Sequence, residues 1–301
     1  MRAMSTTRLH LHVTLGLALG LSPLACDKNK GETVSSDDAV AADTTEAPAS
    51  TEAPEFPDLA SVLASAHRGD NASRDGARHP KETLEFFGVE RNMTVAELWP
   101  GGGWYTEILG PYLRDEGKLI VTNWPADHER YGKASEKFSA KLAAAPEIFG
   151  DVTVVTAPIA PDQAFELAPE GTVDVVVTFR NSHGWFNNGQ TAQIYGAAFK
   201  ALKPGGIFGV VQHRANEGAK PEETAKQGYL PEAQVIEAAQ AAGFELVEKS
   251  EINANPKDTK DYADGVWALP PSLSGEDEAA KAKHAEIGES DRMTLKFKKP
   301  V

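Results

Sequence analysis

Cysteine is nearly absent: a single residue, Cys26, occurs in 301. That excludes an intrachain disulfide framework and a Cys-rich zinc site. Basic charge is also scarce. Lys and Arg number 30 against 44 Asp and Glu, a net charge of -14, so nucleic acid and anionic lipid are repelled and neither is an expected partner. No segment reads as a membrane-spanning helix; the N-terminal apolar run, residues 11–24, is too short to cross a bilayer comfortably. Internal repeats, a Gly-Lys-Ser/Thr phosphate loop and a Gly-x-Ser-x-Gly nucleophile elbow do not occur. What is present is ordinary globular composition, 41% hydrophobic and 25% charged, which excludes wholesale disorder, collagen and coiled coil.

Residues 1–26 read as an address. Arg2 and Arg8 precede the apolar run, Pro23 breaks it, and Ala25-Cys26 follows at once. This is the layout of an export signal. Leu21 to Cys26 resembles a lipobox in which Pro23 takes the place of the usual Leu, so Cys26 is the expected lipidation site. A secretory signal cut near Ala25 and an uncleaved anchor are the other readings, and all three export the chain. The expected location is the periplasm or cell envelope, with membrane contact only through a lipid on Cys26. Residues 27–55 are rich in Ala, Thr, Ser, Pro and acid and poor in groups to bury, as expected of a disordered, self-repelling linker.

From residue 56 to 301 the pattern predicts one folded domain. A helical lead-in at 56–66 is followed by a polar stretch with His67, Arg68, Arg74, Arg78 and His79. It reads either as a solvated loop or as a segment that folds over a cleft and supplies Arg or His to it. Strands are expected at 93–99, 118–123, 151–156, 173–179, 206–212, 244–252 and 292–297. Helices are expected at 104–113, 133–145, 191–202 and 231–242, with a short one at 276–286. The run Val173 to Phe179 is almost continuously apolar and β-branched, as in a strand buried on both faces. Strands alternating with helices imply right-handed crossovers. The expected fold is a three-layer α/β/α, Rossmann-like domain with a mostly parallel seven-stranded sheet. The last two strands lack a full helix between them, so an antiparallel strand is expected at the edge.

Ligands of open α/β sheets bind beyond the carboxyl ends of the strands. After the first strand stands Glu97-Leu98-Trp99-Pro100-Gly101-Gly102-Gly103-Trp104-Tyr105. Three glycines between a strand and a helix let backbone approach a ligand, and the helix start offers free N–H groups. Val95 to Leu109 resembles the first motif of class I S-adenosylmethionine-dependent methyltransferases. Glu97 matches the acid, Gly101 and Gly103 match the second and third glycines, and Trp99 replaces the first. Lys203-Pro204-Gly205-Gly206 before a strand is similar to another turn of that superfamily. An exported group of predicted methyltransferases with a Trp-Pro-Gly-Gly-Gly-Trp-Tyr signature is closer still. It also resembles this chain at Phe179 to His183, Gly228 to Pro231, Asn253 to Asp258 and Gly288 to Arg292.

The resemblance implies the methyltransferase fold and S-adenosylmethionine as cofactor. It implies that Glu97, Trp99, Gly101, Gly102, Gly103 and Tyr105 form the cofactor turn. Asn123 stands where an acid usually binds the ribose, and Thr156 where an Asp often approaches the adenine. Trp99, Trp104, Tyr105 and Trp124 read either as packing or as faces for a sulfonium. After the fourth strand, Arg180, Asn181 and His183 face the expected acceptor, and His213 and Arg214 end the fifth. His183 is a candidate base. Arg180 and His213 are further catalytic candidates. Asn181, Arg214, Asp258 and Tyr262 are candidates for holding a small-molecule substrate.

Three functions follow. The first is a methyltransferase acting on a small molecule. The second is an exported binding module on the same fold. The third is a metal-dependent hydrolase using His183 and His213 with Glu97 or Asp258, although no His-x-x-x-His spacing supports a metal site. The glycine spacing and the missing ribose acid argue against a nicotinamide enzyme.

Overall fold

All seven expected strands form, and they join one sheet. They are β1 (Thr94–Leu98), β2 (Lys118–Asn123), β3 (Val152–Thr156), β4 (Val173–Phe179), β5 (Leu202–His213), β6 (Glu245–Ser250) and β7 (Arg292–Lys298). The computed structural model describes residues 54–275 and 277–301. The expected export signal, Cys26 and nearly all of the expected acidic linker lie outside the described residues.

The strand order is β3-β2-β1-β4-β5-β7-β6. The first five strands are mutually parallel. The expected antiparallel element is β7, which pairs antiparallel with both β5 and the edge strand β6. Order reverses between β1 and β4, so the crevice between their carboxyl ends is the expected ligand position.

Side chains alternate along the central strands. Val95, Val175 and Val177 enter one core with Leu84, Phe87, Ile108 and Phe138. Ala96, Leu98 and Val176 enter the other with Ile194, Ala198, Val235 and Phe208. A period of two thus gives the sheet two apolar faces, each needing a helical layer. The first face is covered by α1 (Leu59–Leu63), α2 (Asp75–Arg78), α3 (Pro80–Phe87), α4 (Thr106–Leu113), α5 (Gly132–Ala144) and α6 (Pro146–Phe149). The second lies under α7 (Ser182–Asn187), α8 (Thr191–Ala201) and α10 (Glu232–Ala241), while α9 (Pro221–Thr224) buries no side chain in it. A final helix, α11 (Glu278–Ile287), precedes β7.

The polar stretch after α1 is helical rather than a loop. Residues Ala66–Arg74 form a 3-10 helix kinked at Gly69 and run directly into α2. Its buried face is made of guanidinium groups. Arg68 is 2% exposed and binds Asp75 through two hydrogen bonds of 2.5 and 2.7 Å. Arg68 and Arg78 both lie over the Trp104 ring, at 5.1 and 4.5 Å from its centroid. These charges fold the segment across the end of the sheet, as the cleft-covering reading of the sequence requires.

The α3 layer sits so close to the sheet that one strand position must lack a side chain. A Cβ on Gly209 of β5 would lie 2.7 Å from the Phe87 ring. Gly209→Ala should therefore cost about 1–3 kcal/mol by overpacking. Equilibrium urea unfolding checks this, and an unchanged midpoint would mean that α3 can retreat.

Candidate active site

The turn after β1 has an unusual backbone. Trp99 has φ 49°, and Gly101 and Gly103 have φ 61° and 82°. Tryptophan therefore holds the left-handed conformation at a position where glycine is the usual occupant. Its surroundings fix it there. The Trp99 N–H donates to Thr122 Oγ1 at 2.7 Å. Asn181 Nδ2 donates to the carbonyls of Leu98 and Trp99 at 3.0 and 3.2 Å. The indole packs edge-on against Trp124, Phe165 and Trp185. Its Nε1 is buried and has no hydrogen-bond partner among the described residues. Gly101 and Gly102 face open space, since a Cβ on either meets nothing within 4 Å. Gly103 has a packing reason instead: a Cβ there would lie 2.7 Å from Phe138.

Two connected cavities open at this turn. One of about 600 Å³ is lined by Glu97, Trp99 to Gly102, Tyr105, Arg74, Arg78, Arg180, Asn181, His183, His213 and Trp267, among others. A second of about 310 Å³ extends toward Asn123, Trp124 and Ser135. They share Trp99, Pro100, Gly101, Tyr131, Arg180, Asn181 and His183. The cleft therefore brings together Glu97, Trp99, Gly101, Gly102, Tyr105, Asn123, Arg180, Asn181, His183 and His213.

Five predicted residues lie elsewhere. Gly103 lines neither cavity and packs against Phe138. Thr156 is exposed on the edge strand β3 and lines neither cavity. Arg214 is bound outside the cleft by Glu251 and Asp291. Asp258 is a loop staple that accepts from the Asp291 and Lys260 N–H groups and from Tyr229 Oη. Tyr262 is buried, accepts from the Thr259 N–H and packs against His284. Asn123 reaches the smaller cavity, but its amide is consumed. Nδ2 donates to Ser135 O and Ser139 Oγ, and Oδ1 accepts from the Trp124 N–H. It offers no free N–H for a ribose.

Glu97 is 2% exposed, and its Oε2 accepts from Thr106 Oγ1 at 2.6 Å. Burial pushes its pKa up to about 7 against the pull of Thr106 and Lys141. Tyr105 stacks on Phe179 with centroids 3.4 Å apart, making a flat wall. Burial lowers His183 to about 4, so its ring is neutral at pH 7. Gln212 Nε2 sits 3.3 Å from His183 Nδ1 and 2.9 Å from the Gly228 carbonyl. The Gly228 and His213 carbonyls, at 2.9 and 3.3 Å, make that Gln212 nitrogen a donor, so a hydrogen bond between it and His183 is one in which Nδ1 accepts and the ring proton is on Nε2. His183 thus presents a donor rather than a basic lone pair at Nε2. Burial also lowers His213, whose Nδ1 is 2.6 Å from Ser290 Oγ. The two histidine rings are 5.9 Å apart, and no group of three His, Cys, Asp or Glu that could hold a metal occurs among the described residues.

Arg180, which follows β4, has φ 67°. Its guanidinium has no hydrogen-bond or ion-pair partner among the described residues. Burial, with Arg78 and Arg292 nearby, pulls its pKa down to about 9, so it remains a cation at pH 7. Behind it, Glu289 binds Arg74, Arg78 and Arg292 at 2.7, 3.1 and 3.1 Å. The sequence motif Gly288 to Arg292 thus supplies the ties of the arginine cluster. Trp267, Tyr131 and Arg130 also line the cleft; they come from a short 3-10 helix, Gly265–Ala268, and from the turn that leads into α5, whose sequence carries no signal for it.

No family model matches the sequence, and no curated protein matches it. Solved structures do. Geranyl diphosphate methyltransferase in complex with S-adenosylmethionine aligns with a TM-score of 0.51 at 16% identity, covering 80% of this chain and 90% of that one. The [4+2]-cyclase SpnF aligns at 0.50 and 16%, covering 75% and 81%. A S-adenosylmethionine-dependent methyltransferase from Aquifex aeolicus aligns at 0.48 and 18%, covering 66% and 94%. On the first two of these alignments and the strand order, the chain carries the Rossmann-like, class I methyltransferase fold.

The raised pKa of Glu97 has a consequence for stability. Between pH 4.5 and 7 the folded chain keeps a proton that the unfolded chain has released, so stability falls as pH rises through that window. Glu97→Gln removes the penalty and keeps an acceptor for Thr106. Relative to wild type it should gain up to roughly 3 kcal/mol at pH 8 and little below pH 4.5. Urea unfolding at several pH values reads this out, and a difference independent of pH would refute it.

Proposed function

We propose that this protein is an S-adenosylmethionine-dependent methyltransferase acting on a small-molecule acceptor. The observation that carries the reading is the turn Trp99 to Gly103. It stands at the reversal of strand order, is held in left-handed backbone, and turns the open faces of Gly101 and Gly102 toward a cavity. Such a turn lets a ligand lie against main chain with no side chain between them.

The residues present fit the cofactor. Backbone around Gly101 and Gly102, the buried unpartnered Trp99 Nε1 and the carboxyl of Glu97 would hold it, with Tyr131 and Trp124 as aromatic faces. When bound, it supplies an electrophilic methyl group. Asn181 does not need to touch substrate to matter: its amide ties the ends of β1 and β4 together and so positions the turn. His183 orients a substrate by donation from Nε2. Arg180 presents fixed positive charge to the same space. The acid usual at the ribose position is replaced by an amide that is already engaged, so ribose contacts fall to other groups of the smaller cavity.

We also propose that the protein is exported and anchored through Cys26, on the strength of the N-terminal run and the lipobox-like Leu21 to Cys26.

Thermal unfolding of the full chain with S-adenosylhomocysteine tests the first reading. At about a hundred times its dissociation constant, the ligand should stabilise by roughly 2.7 kcal/mol. Gly101→Val places a branched side chain on a left-handed residue and into the cavity, and should abolish the shift. No shift in the wild-type chain would favour the binding-module reading instead.

A further inference from the structure

We infer that the cleft takes its acceptor by an anionic group, a carboxylate or a phosphate, seated against Arg74, Arg78 and Arg180. Calling this ligand the acceptor rests on the methyltransferase reading; the anion site itself does not. The first support is charge balance. Three guanidiniums share the single carboxylate of Glu289, and the fourth, Arg180, has no partner among the described residues. Cations removed from water require a counter-charge. Glu289 does not line the cavity, and the carboxyl that does, Glu97, is bound to Thr106 and disfavoured in its charged form by burial. A cationic concavity of this kind in a chain of net charge -14 is not a by-product of composition.

The second support is the kind of polar group on offer. Guanidiniums donate and cannot accept. His183 offers a donor at Nε2, and its basic nitrogen faces Gln212. Such a wall suits a ligand that arrives already deprotonated, and it is poorly suited to stripping a proton from a neutral hydroxyl. The fork of an arginine matches the paired oxygens of carboxylate and phosphate. Arg180 is held for this purpose by its backbone, whose left-handed turn follows β4 directly. The stacked Tyr105 and Phe179 provide an adjacent flat, apolar wall for the rest of a small ligand.

The test is thermal unfolding and calorimetric titration of the full chain with inorganic phosphate and with malonate as separate arms. Malonamide at matched ionic strength is the neutral control, and each arm is run with and without S-adenosylhomocysteine. One or both anions should raise the melting temperature, and the preferred arm identifies phosphate or carboxylate as the group. Their effect should add to that of S-adenosylhomocysteine. Arg180→Gln should melt higher than wild type when ligand-free, because an unpaired cation is gone, and should bind the anion at least tenfold more weakly. Arg74→Gln, at a partly exposed position, should also weaken it and serves if the first variant does not fold.

A shift with S-adenosylhomocysteine but none with either anion overturns this inference and leaves the methyltransferase reading standing. An anion shift without a S-adenosylhomocysteine shift does the reverse. Anion binding that survives in both variants overturns the site. Competition with S-adenosylhomocysteine assigns the arginines to the cofactor's own carboxylate and overturns the acceptor assignment.

Discussion

The carboxylate of Glu289 organises the cleft. It lies just before β7 and accepts from Arg74 and Arg78 of the N-terminal cover and from Arg292 of its own strand. One side chain therefore joins segments more than 200 residues apart in sequence. The groups it gathers are largely removed from solvent, where a lone charge is expensive and a paired one is tolerable. Without that carboxylate, the helical cover over the carboxyl ends of the strands would have mutually repelling guanidiniums at its base. With it, the cover seats Arg78 against Trp104 and lets Tyr105 Oη donate to the Arg78 carbonyl. The glycine turn and the arginine wall are thereby fixed to each other.

Most of the sheet is legible in the sequence because its central strands are buried on both faces. Val173 to Phe179 reads as a strand from composition alone, and Pro or Gly marks many of the boundaries. The cover segment is not legible in the same way. Its inward face is made of Arg68 and Arg78, so an apolar periodicity has nothing to detect, and a charged stretch looks like a solvated loop. Its function as a supplier of arginines is nevertheless visible in its charge density.

The site is legible to the depth of the backbone and no further. The positions after β1 and β4 follow from topology, and Glu97, Trp99, Gly101, Arg180, Asn181 and His183 meet there. Arg214, Asp258 and Tyr262 illustrate the limit. A polar side chain in a loop near a cleft serves equally well as a staple for that loop, and here all three are used so. Asn123 is subtler: it stands at the expected place, but its amide is turned into α5. Only partner geometry separates these cases, and partner geometry is long-range.

The distribution of charge also sets how a negatively charged molecule would arrive. At a distance it meets the net charge of the whole chain, -14, and is turned away. Within about 8 Å at physiological ionic strength, the Debye length, it meets the local field of the arginines, sharpened by the low-dielectric walls of the cleft. The encounter thus has an outer barrier and an inner well of opposite sign. Salt lowers the first and shallows the second, so the rate of capture and the strength of retention respond to ionic strength in opposite directions.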